Sequence, residues 1–364
     1  MNKTHLEINC KALEANYRLL DSKINSDCEI IGVVKANAYG TDAVAVAREL
    51  IKLGVKQLAV AYIEEGVRLR AAGIDIPILI FYPQPDNFDL LLDHDLTPSV
   101  YSFFALNKLK LILQKQQIEN FGIHIKINSG MNRLGFEVDE LESLKDQLND
   151  KRLKIGGVFS HFSAAGSPVE KEFTNQQINQ YQKAVDFFKH HFSTKILFHL
   201  SSSSGIMNYP KACYNAVRAG IALYGYGNHP QEDRHLQPVA QLYASIIQLR
   251  TIKTGESVGY DRAFIAKKTC KIATLSIGYA DGISRIYGNG CAIVNINGKM
   301  ATTCGNICMD TMMVDVSHID CQEGDLVKIF GDNHPATSFD TYQQSIAYEL
   351  ITRISERVPR IIKK

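Results

Sequence analysis

The sequence predicts an α/β fold: an N-terminal (β/α)8 TIM-type barrel followed by a mostly β C-terminal domain. Two observations predict the barrel, namely eight short apolar strands bounded by turn residues and amphipathic stretches between them. Strand–helix alternation implies parallel strands joined by right-handed crossovers. Eight such units in roughly 200 residues suit the lower size limit of a closed barrel better than an open sheet. A third observation, the loss of alternation after residue 230, predicts the second domain.

A strand-like piece at residues 6–9 and a helix over 11–22 precede the barrel. The barrel strands are expected at residues 29–35, 57–62, 76–82, 97–101, 123–128, 155–161, 196–201 and 216–218. Helices between them carry single apolar stripes, such as Val44, Ala47, Leu50 and Ile51, or Ile178, Tyr181, Val185 and Phe188, at the spacing of one helix face. Residues 227–233, Gly-Asn-His-Pro-Gln-Glu-Asp, read as a polar linker. Five β-rich runs follow at 239–252, 271–277, 292–297, 312–316 and 326–330, with turn signals at Asn297-Gly298 and Gly288-Asn289-Gly290. A closing helix is expected to put Ile346, Leu350 and Ile354 on one face. The domains are thus expected at 1–230 and 231–364, with roughly the first ten residues free to join the second domain.

The composition is that of an ordinary globular chain, 364 residues with 45% hydrophobic and 21% charged, enough for two domains. A net charge of +2 offers no basic field to nucleic acid or an anionic membrane. No apolar run is long enough to span a bilayer. The first nine residues lack a signal-peptide core, so export is not expected. Of the eight scattered cysteines, Cys304 and Cys308 alone are close, and no further pair completes a zinc set. They read as reduced thiols of a cytoplasmic protein that holds no metal.

Chemistry-bearing residues fall at the carboxyl ends of the expected strands, where barrels of this kind build their sites. Lys35 ends the first strand, Arg133 follows the fifth, His161 ends the sixth, Ser203 follows the seventh, and Arg218 and Gly220 follow the eighth. A lysine there can be desolvated into a nucleophile or Schiff-base former, or it can snorkel to water as the strand ends. Ser203, with the backbone N–H groups of Gly220 and Ile221, can cradle a phosphate; the serine run at 201–204 can also be a plain polar loop. Arg218 can be a surface ion pair. Together, a lysine, a phosphate cradle and a cationic partner on one barrel face describe a pyridoxal phosphate site.

The motifs at these positions resemble those of the alanine racemases, fold-type III pyridoxal phosphate enzymes. The resemblance runs through Val34-Lys35-Ala36-Asn37-Ala38-Tyr39-Gly40, Ser129-Gly130-Met131-Asn132-Arg133-Leu134-Gly135 and Val217-Arg218-Ala219-Gly220-Ile221-Ala222-Leu223-Tyr224-Gly225. It continues through Val258-Gly259-Tyr260-Asp261-Arg262, Ile277-Gly278-Tyr279-Ala280-Asp281-Gly282 and Cys308-Met309-Asp310 to Arg357-Val358-Pro359-Arg360. It implies an isomerase that interconverts L-alanine and D-alanine and supplies D-alanine for peptidoglycan. It also implies a head-to-tail homodimer whose sites take Lys35 from one subunit and Tyr260 from the other. Tyr39, Ser203, Gly220, Ile221 and Tyr348 match phosphate-binding positions. Arg218 matches the residue facing the pyridine nitrogen, with His161 behind it. Arg133 matches a contact to the cofactor's phenolic oxygen and the substrate carboxylate, and Met309 a backbone N–H donor to that carboxylate. Tyr279 and Asp310 match the entry and wall, and Lys126 matches a position that is carbamylated in some members. A plain lysine paired with a carboxylate is the other reading of Lys126.

The resemblance assigns the D-isomer's α-proton to Lys35 and the L-isomer's to Tyr260. Bringing a tyrosine's pKa from its reference value of about 10 to near 7 takes ~4 kcal/mol, which a neighbouring cation such as Arg133 has to supply in part. Without the motif order, Tyr260 would read as an interface tyrosine. The chain departs from the family's pattern at Thr41-Asp42, where His-Gly is usual, and at Ser202, where asparagine is common. Three other readings stand beside this one: a racemase of broader range on the same fold, a pyridoxal phosphate decarboxylase, and a non-catalytic cofactor carrier.

Overall fold

The computed structural model describes residues 4–192, 195–342 and 346–364. Of the opening residues left between the two domains, 1–3 lie outside this description. The first strand, β1 (His5–Asn9), leads into a helix, Cys10–Asp21, which Asn9 caps by accepting the Ala12 N–H at 3.1 Å. Eight parallel strands follow: β2 (Glu29–Val33), β3 (Gln57–Val60), β4 (Ile78–Ile80), β5 (Thr97–Val100), β6 (Phe121–Lys126), β7 (Leu153–Phe159), β8 (Leu197–His199) and β9 (Ala216–Ala219). They pair in the order β8-β7-β6-β5-β4-β3-β2-β9. The seam between the two ends of this order is bridged by the Arg218 N–H, which donates to the Ser201 carbonyl at 3.0 Å. The expected (β/α)8 barrel is therefore present, with each expected strand in place.

The strands are shorter than expected at their carboxyl ends. β2 stops at Val33 and β7 at Phe159, so Lys35 and His161 lie past their strands. The chain leaves the ladder to build the site, and residues that alternate like a strand there answer to the cavity instead. The expected helical stripes hold in part. Ala47 and Leu50 are buried while Val44 and Ile51 are half-buried, and Tyr181, Val185 and Phe188 are buried on Lys171–His191 with Ile178 at the margin.

The second sheet is built from β10 (Ala240–Ile252), β13 (Cys270–Leu275), β14 (Ile293–Ile296), β15 (Lys299–Thr303), β16 (Met312–Asp315) and β17 (Leu326–Phe330), and it closes because β10 pairs with both β17 and β13. β10 does this over 13 residues by shifting register at Leu242/Tyr243 and at Ile246/Gln248. Such bulges bend a strand so that its two halves can serve different partners. β1 pairs antiparallel with β10, and β18 (Arg360–Lys363) pairs parallel with β1. The chain's first and last strands thus extend the second sheet. A separate two-stranded ribbon, β11 (Ser257–Val258) and β12 (Phe264–Ile265), packs on a small cluster of Val258, Ala266, Cys270, Ile272, Cys304 and Met313. The sequence reading missed this ribbon, β15 and β18, each too short or too polar for its alternation to stand out. The closing helix is Ala347–Thr352; it buries Ala347, Leu350 and Ile351. Ile346 precedes it in extended backbone and is 56% exposed, which corrects the expected stripe.

Two glycines separate backbone strain from backbone contact. Gly73 (φ +78°) has open space where a Cβ would sit, whereas a Cβ on Gly225 (φ +94°) would lie 2.1 Å from the Gln237 carbonyl oxygen at the entry to β10. Gly73→Ala is expected to cost about 1 kcal/mol for its left-handed backbone alone. Gly225→Ala is expected to exceed about 3 kcal/mol. Thermal unfolding of the two variants beside the parent checks this; equal shifts would refute the contact argument.

Candidate active site

The carboxyl ends of the barrel strands enclose a cavity of about 630 Å3. Lys35, Tyr39, Lys126, Arg133, His161, Ser203, Arg218, Gly220, Ile221 and Tyr348 all line it. Tyr260, Met309 and Asp310 do not; they line a separate depression on the β-rich half of the chain. Tyr279 stands partly exposed beside it, its N–H bonded to the Cys308 carbonyl. Tyr260 is 68% exposed and sits between β11 and β12. One chain therefore carries two groups of the expected site residues, and they do not meet within it.

Lys35 opens a short turn of left-handed helix. Ala36, Asn37, Ala38 and Tyr39 have φ between +51° and +55°, a conformation that costs a non-glycine residue roughly 1–2 kcal/mol. Such strain persists only where the surroundings impose it. The departure from the family's pattern at Thr41-Asp42 has a local explanation. Thr41 is fully buried with its hydroxyl on the Ala38 carbonyl at 2.6 Å, and Asp42 caps the next helix by accepting the Ala45 N–H at 2.9 Å. Burial and then the like charge of Arg133 pull Lys35 below the ordinary lysine pKa, with Glu65 opposing.

At the base of the cavity lies Arg218, 3% exposed and without a carboxylate partner among the described residues. The surface ion pair considered from the sequence is thereby excluded. The guanidinium donates to the carbonyls of Ser160 (2.6 Å), His199 (2.7 Å) and Leu200 (3.0 Å), and to Nδ1 of His199 (2.9 Å) and of His161 (3.0 Å). Arginine only donates, so both Nδ1 atoms accept and both histidines carry their proton on Nε2. His199 passes that proton's bond on to Nδ1 of His124 at 3.0 Å. Burial and the Arg218 charge hold all three rings neutral, His124 down to about 3. Arg218 itself is pulled down by burial to about 10 and keeps its charge at neutral pH.

Lys126, 8% exposed, donates to the Ile127 carbonyl at 2.9 Å and has no carboxylate partner among the described residues. This removes the carboxylate-paired reading. Burial, Arg218 and Arg133 push its pKa well below the ordinary lysine value. Its nitrogen and the Arg218 guanidinium each lie 5.3 Å from the centre of the Phe159 ring, an arrangement that favours positive charge over a π face.

The opposite end of the cavity is lined by hydroxyls. Ser203 Oγ accepts the N–H groups of Gly220 (3.2 Å) and Ala222 (3.1 Å), so the Gly220 donor expected for a ligand is held by Ser203. A Cβ on Gly220 would lie 2.8 Å from Tyr39 Oη, and only glycine leaves that space open. Tyr39 packs on Tyr224 with ring centres 4.6 Å apart. Tyr348 donates its hydroxyl to Asn228 Oδ1 at 2.8 Å. Burial raises both Tyr39 and Tyr348 above the ordinary tyrosine value, so both remain donors.

Sequence reasoning missed four contributors. Asn228 and His229, read as linker, line the cavity. Glu232 is buried there and accepts from Ser204 Oγ, Asn208 Nδ2 and the Asn228 N–H. The signal was available, since His229 followed by Pro230 is a helix start, and the helix Pro230–Asp233 folds the linker onto the site. Glu65, on the helix after β3, accepts the Ala36 N–H at 2.5 Å. No local pattern announces that contact.

The hydroxyl end, the lysine of lowered pKa and the buried arginine fit pyridoxal phosphate, and Gly220 leaves the room a phosphate needs. Family models described as alanine racemase, N-terminal domain, and alanine racemase, C-terminal domain, match residues 8–228 and 239–362. The chain belongs to the alanine racemase family. An alanine racemase of Clostridium novyi (strain NT) is 37% identical over 370 residues, covering 98% of this chain and 95% of its own. The structure of the alanine racemase of Clostridium difficile 630 is 34% identical with a TM-score of 0.93, covering 100% of this chain and 96% of that one. An alanine racemase from Bartonella henselae, described with covalently bound pyridoxal phosphate, is 29% identical with a TM-score of 0.88, covering 99% of each chain. Membership of the alanine racemase family makes the chain an isomerase. No helix among the described residues is long and apolar enough to cross a membrane.

Because Arg133 is one of the charges that lower Lys35, Arg133→Gln should raise the Lys35 pKa and shrink its free-amine fraction at pH 7. Labelling of Lys35 by an amine-reactive reagent across pH, read by peptide mapping, should then move its inflection upward. An unmoved inflection would mean that Lys35 does not feel Arg133.

Proposed function

We propose that this chain racemises alanine with bound pyridoxal phosphate as a head-to-tail homodimer, each site combining Lys35 of one subunit with the partner subunit's Tyr260. One observation carries this reading: the two groups of site residues occupy separate concavities of a single chain. A second copy is the simplest way to join them. Residues 231–364 would form the part that reaches into the partner's barrel, and the product would feed peptidoglycan synthesis in the cytoplasm.

Lys35 and Tyr39 would hold the cofactor from the left-handed turn, with Ser203, Ile221, Gly220 and Tyr348 at the phosphate end and Arg218 and His161 at the other. When bound, pyridoxal phosphate supplies an electron sink that makes the α-hydrogen of an amino acid removable. The chain's own groups then divide the work. Lys35, whose pKa burial and then Arg133 lower, can accept a proton at Nζ on one face. The partner subunit's Tyr260 can give one at Oη on the other, so neither base has to move. Arg218 donates hydrogen bonds and keeps its protons, so a ring nitrogen lying against it stays unprotonated and draws less charge from the reacting carbon. Arg133 offers a cation to a substrate carboxylate. The Met309 N–H, which has no protein acceptor among the described residues, offers a donor. Asp310 and Tyr279 would flank the entry, with Asp310 held by Arg357 at 2.7 Å.

The deciding experiment mixes purified protein with pyridoxal phosphate and L-alanine and assays for D-alanine, beside L-serine and L-lysine. Conversion of alanine alone supports the narrow reading. Equal turnover of serine or lysine would favour a broad-range racemase, and no conversion of alanine would overturn the proposal. Tyr260→Phe should cut solvent-hydrogen exchange into L-alanine by about 100-fold or more, general-base loss being worth roughly that much, and leave exchange into D-alanine less affected. Equal losses would sink the two-base assignment.

Lys126 is proposed to carry a carbamate. Its Nζ, when unprotonated, can attack the carbon of CO2, forming an N–C bond and releasing one proton. The resulting anion would lie in the field of Arg133 and Arg218, whose charges already disfavour an ammonium there. Intact mass under bicarbonate should be one CO2 heavier than that of Lys126→Met after correction for the side chain. An unmodified mass would return Lys126 to a plain lysine.

A further inference from the structure

We propose that Glu65 and Arg360 are positioning residues for Lys35, clamping the left-handed turn Lys35–Tyr39 at its two ends. Lys35 and Tyr39 begin and end this turn, and both line the cavity. A return of any residue between them to right-handed or extended backbone would swing one side chain away from the other. Of residues 36–39, Asn37 alone is a type at home at positive φ. Local bonds hold part of the turn: Ala38 N–H to the Val34 carbonyl at 2.9 Å, Gly40 N–H to the Ala36 carbonyl at 2.8 Å, and the Thr41 N–H (3.2 Å) and hydroxyl (2.6 Å) to the Ala38 carbonyl. Further support comes from distant parts of the chain.

At the leading end, Glu65 Oε1 accepts the Ala36 N–H at 2.5 Å. Its Oε2 accepts the N–H groups of Ala61 (2.7 Å) and Tyr62 (3.1 Å), which ties the turn to the end of β3 and to the helix Ile63–Ala71. At the trailing end, Arg360 donates to the carbonyls of Gly40 (2.9 Å) and Thr41 (3.1 Å). Its other donors hold the carbonyls of Ile354, Ser355 and Val358, which brace the C-terminal segment around it. The approach is close, because a Cβ on Gly40 would meet the Ile351 carbonyl oxygen at 2.0 Å. Neither Glu65 nor Arg360 lines the cavity, so each positions Lys35 through the backbone, and Glu65 adds its charge, which opposes the lowering of Lys35. Arg360 belongs to β18, a strand of the second sheet. The domain that carries Tyr260 therefore also fixes the turn of the first domain's lysine.

The test uses full-length protein carrying pyridoxal phosphate, with Arg360→Lys and Glu65→Gln beside the parent. A lysine keeps the charge but cannot reach Gly40 and Thr41 while bracing three other carbonyls. The first readout is the rate at which hydroxylamine strips the cofactor, expected to rise about tenfold in each variant while the melting temperature moves little. The second is solvent-hydrogen exchange into each alanine isomer, where the loss should fall about tenfold more heavily on D-alanine, the isomer assigned to Lys35. This second arm rests on the two-base reading above, and Tyr260→Phe serves as its control by giving the opposite split. If that control shows no split, the two-base reading has failed and hydroxylamine release alone decides. Unchanged release in both variants, or parallel losses for the two isomers where the control does split, would overturn the proposal. If Arg360→Lys does not fold, Glu65→Gln carries the same readouts.

Discussion

The Arg218 guanidinium lies across the seam where the barrel's strand order ends, and much of the site follows from that placement. It gathers the carbonyls of Ser160, His199 and Leu200 from the ends of β7 and β8, so the last two strands are joined partly through a side chain. Removing a cation from water costs several kcal/mol, and charge-assisted bonds of about 1.5–3 kcal/mol each are needed to offset it. The acceptors here are neutral carbonyls and two ring nitrogens. The charge is therefore solvated by the protein without being cancelled.

That uncancelled charge orders the chemistry around it. His161 and His199 must accept at Nδ1, and His124 takes up the next bond, so the tautomers of three rings are set by one donor. Burial first, and then the charges of Arg218 and Arg133, lower the pKa of Lys126 and Lys35. A cavity with two lysines of lowered pKa, a fixed arginine and hydroxyl donors at the far end suits an anionic, electron-withdrawing ligand. The β-rich domain contributes from two directions. Its ribbon presents Tyr260 outward, and its C-terminal segment returns Tyr348, Arg357 and Arg360 to one or other group of site residues.

Much of this was legible in the sequence. Barrel strands such as residues 123–128 and 196–201 announce themselves as apolar runs with turn residues at each end, because burial on both faces is a local demand on adjacent residues. Lys35, Arg133, His161, Ser203 and Arg218 were legible for a related reason, since the fold class places strand ends around one site. What failed were contacts without local cause. The linker at 227–233 was read as passive, yet Asn228 receives the Tyr348 hydroxyl and Glu232 is buried against Ser204. Ile346 fits a helix period but caps the helix in extended backbone. The ribbon that carries Tyr260 is two residues per strand, below the length at which alternation means anything.

The sequence by itself determined the order of most elements, the family and the candidate site residues, because those depend on periodicity and short motifs. The tertiary structure alone decided which residues share a cavity and how they are charged there. It left Lys126 without a carboxylate partner among the described residues, fixed three histidine tautomers from one arginine, and separated Tyr260 from Lys35 on the same chain. It also imposed left-handed backbone on Ala36, Ala38 and Tyr39, residues with no preference for it. The physical reason is common to all of these: a pKa, a tautomer or a strained φ is set by groups brought near through space, and residues 35, 65, 218 and 360 become neighbours only once the chain is folded.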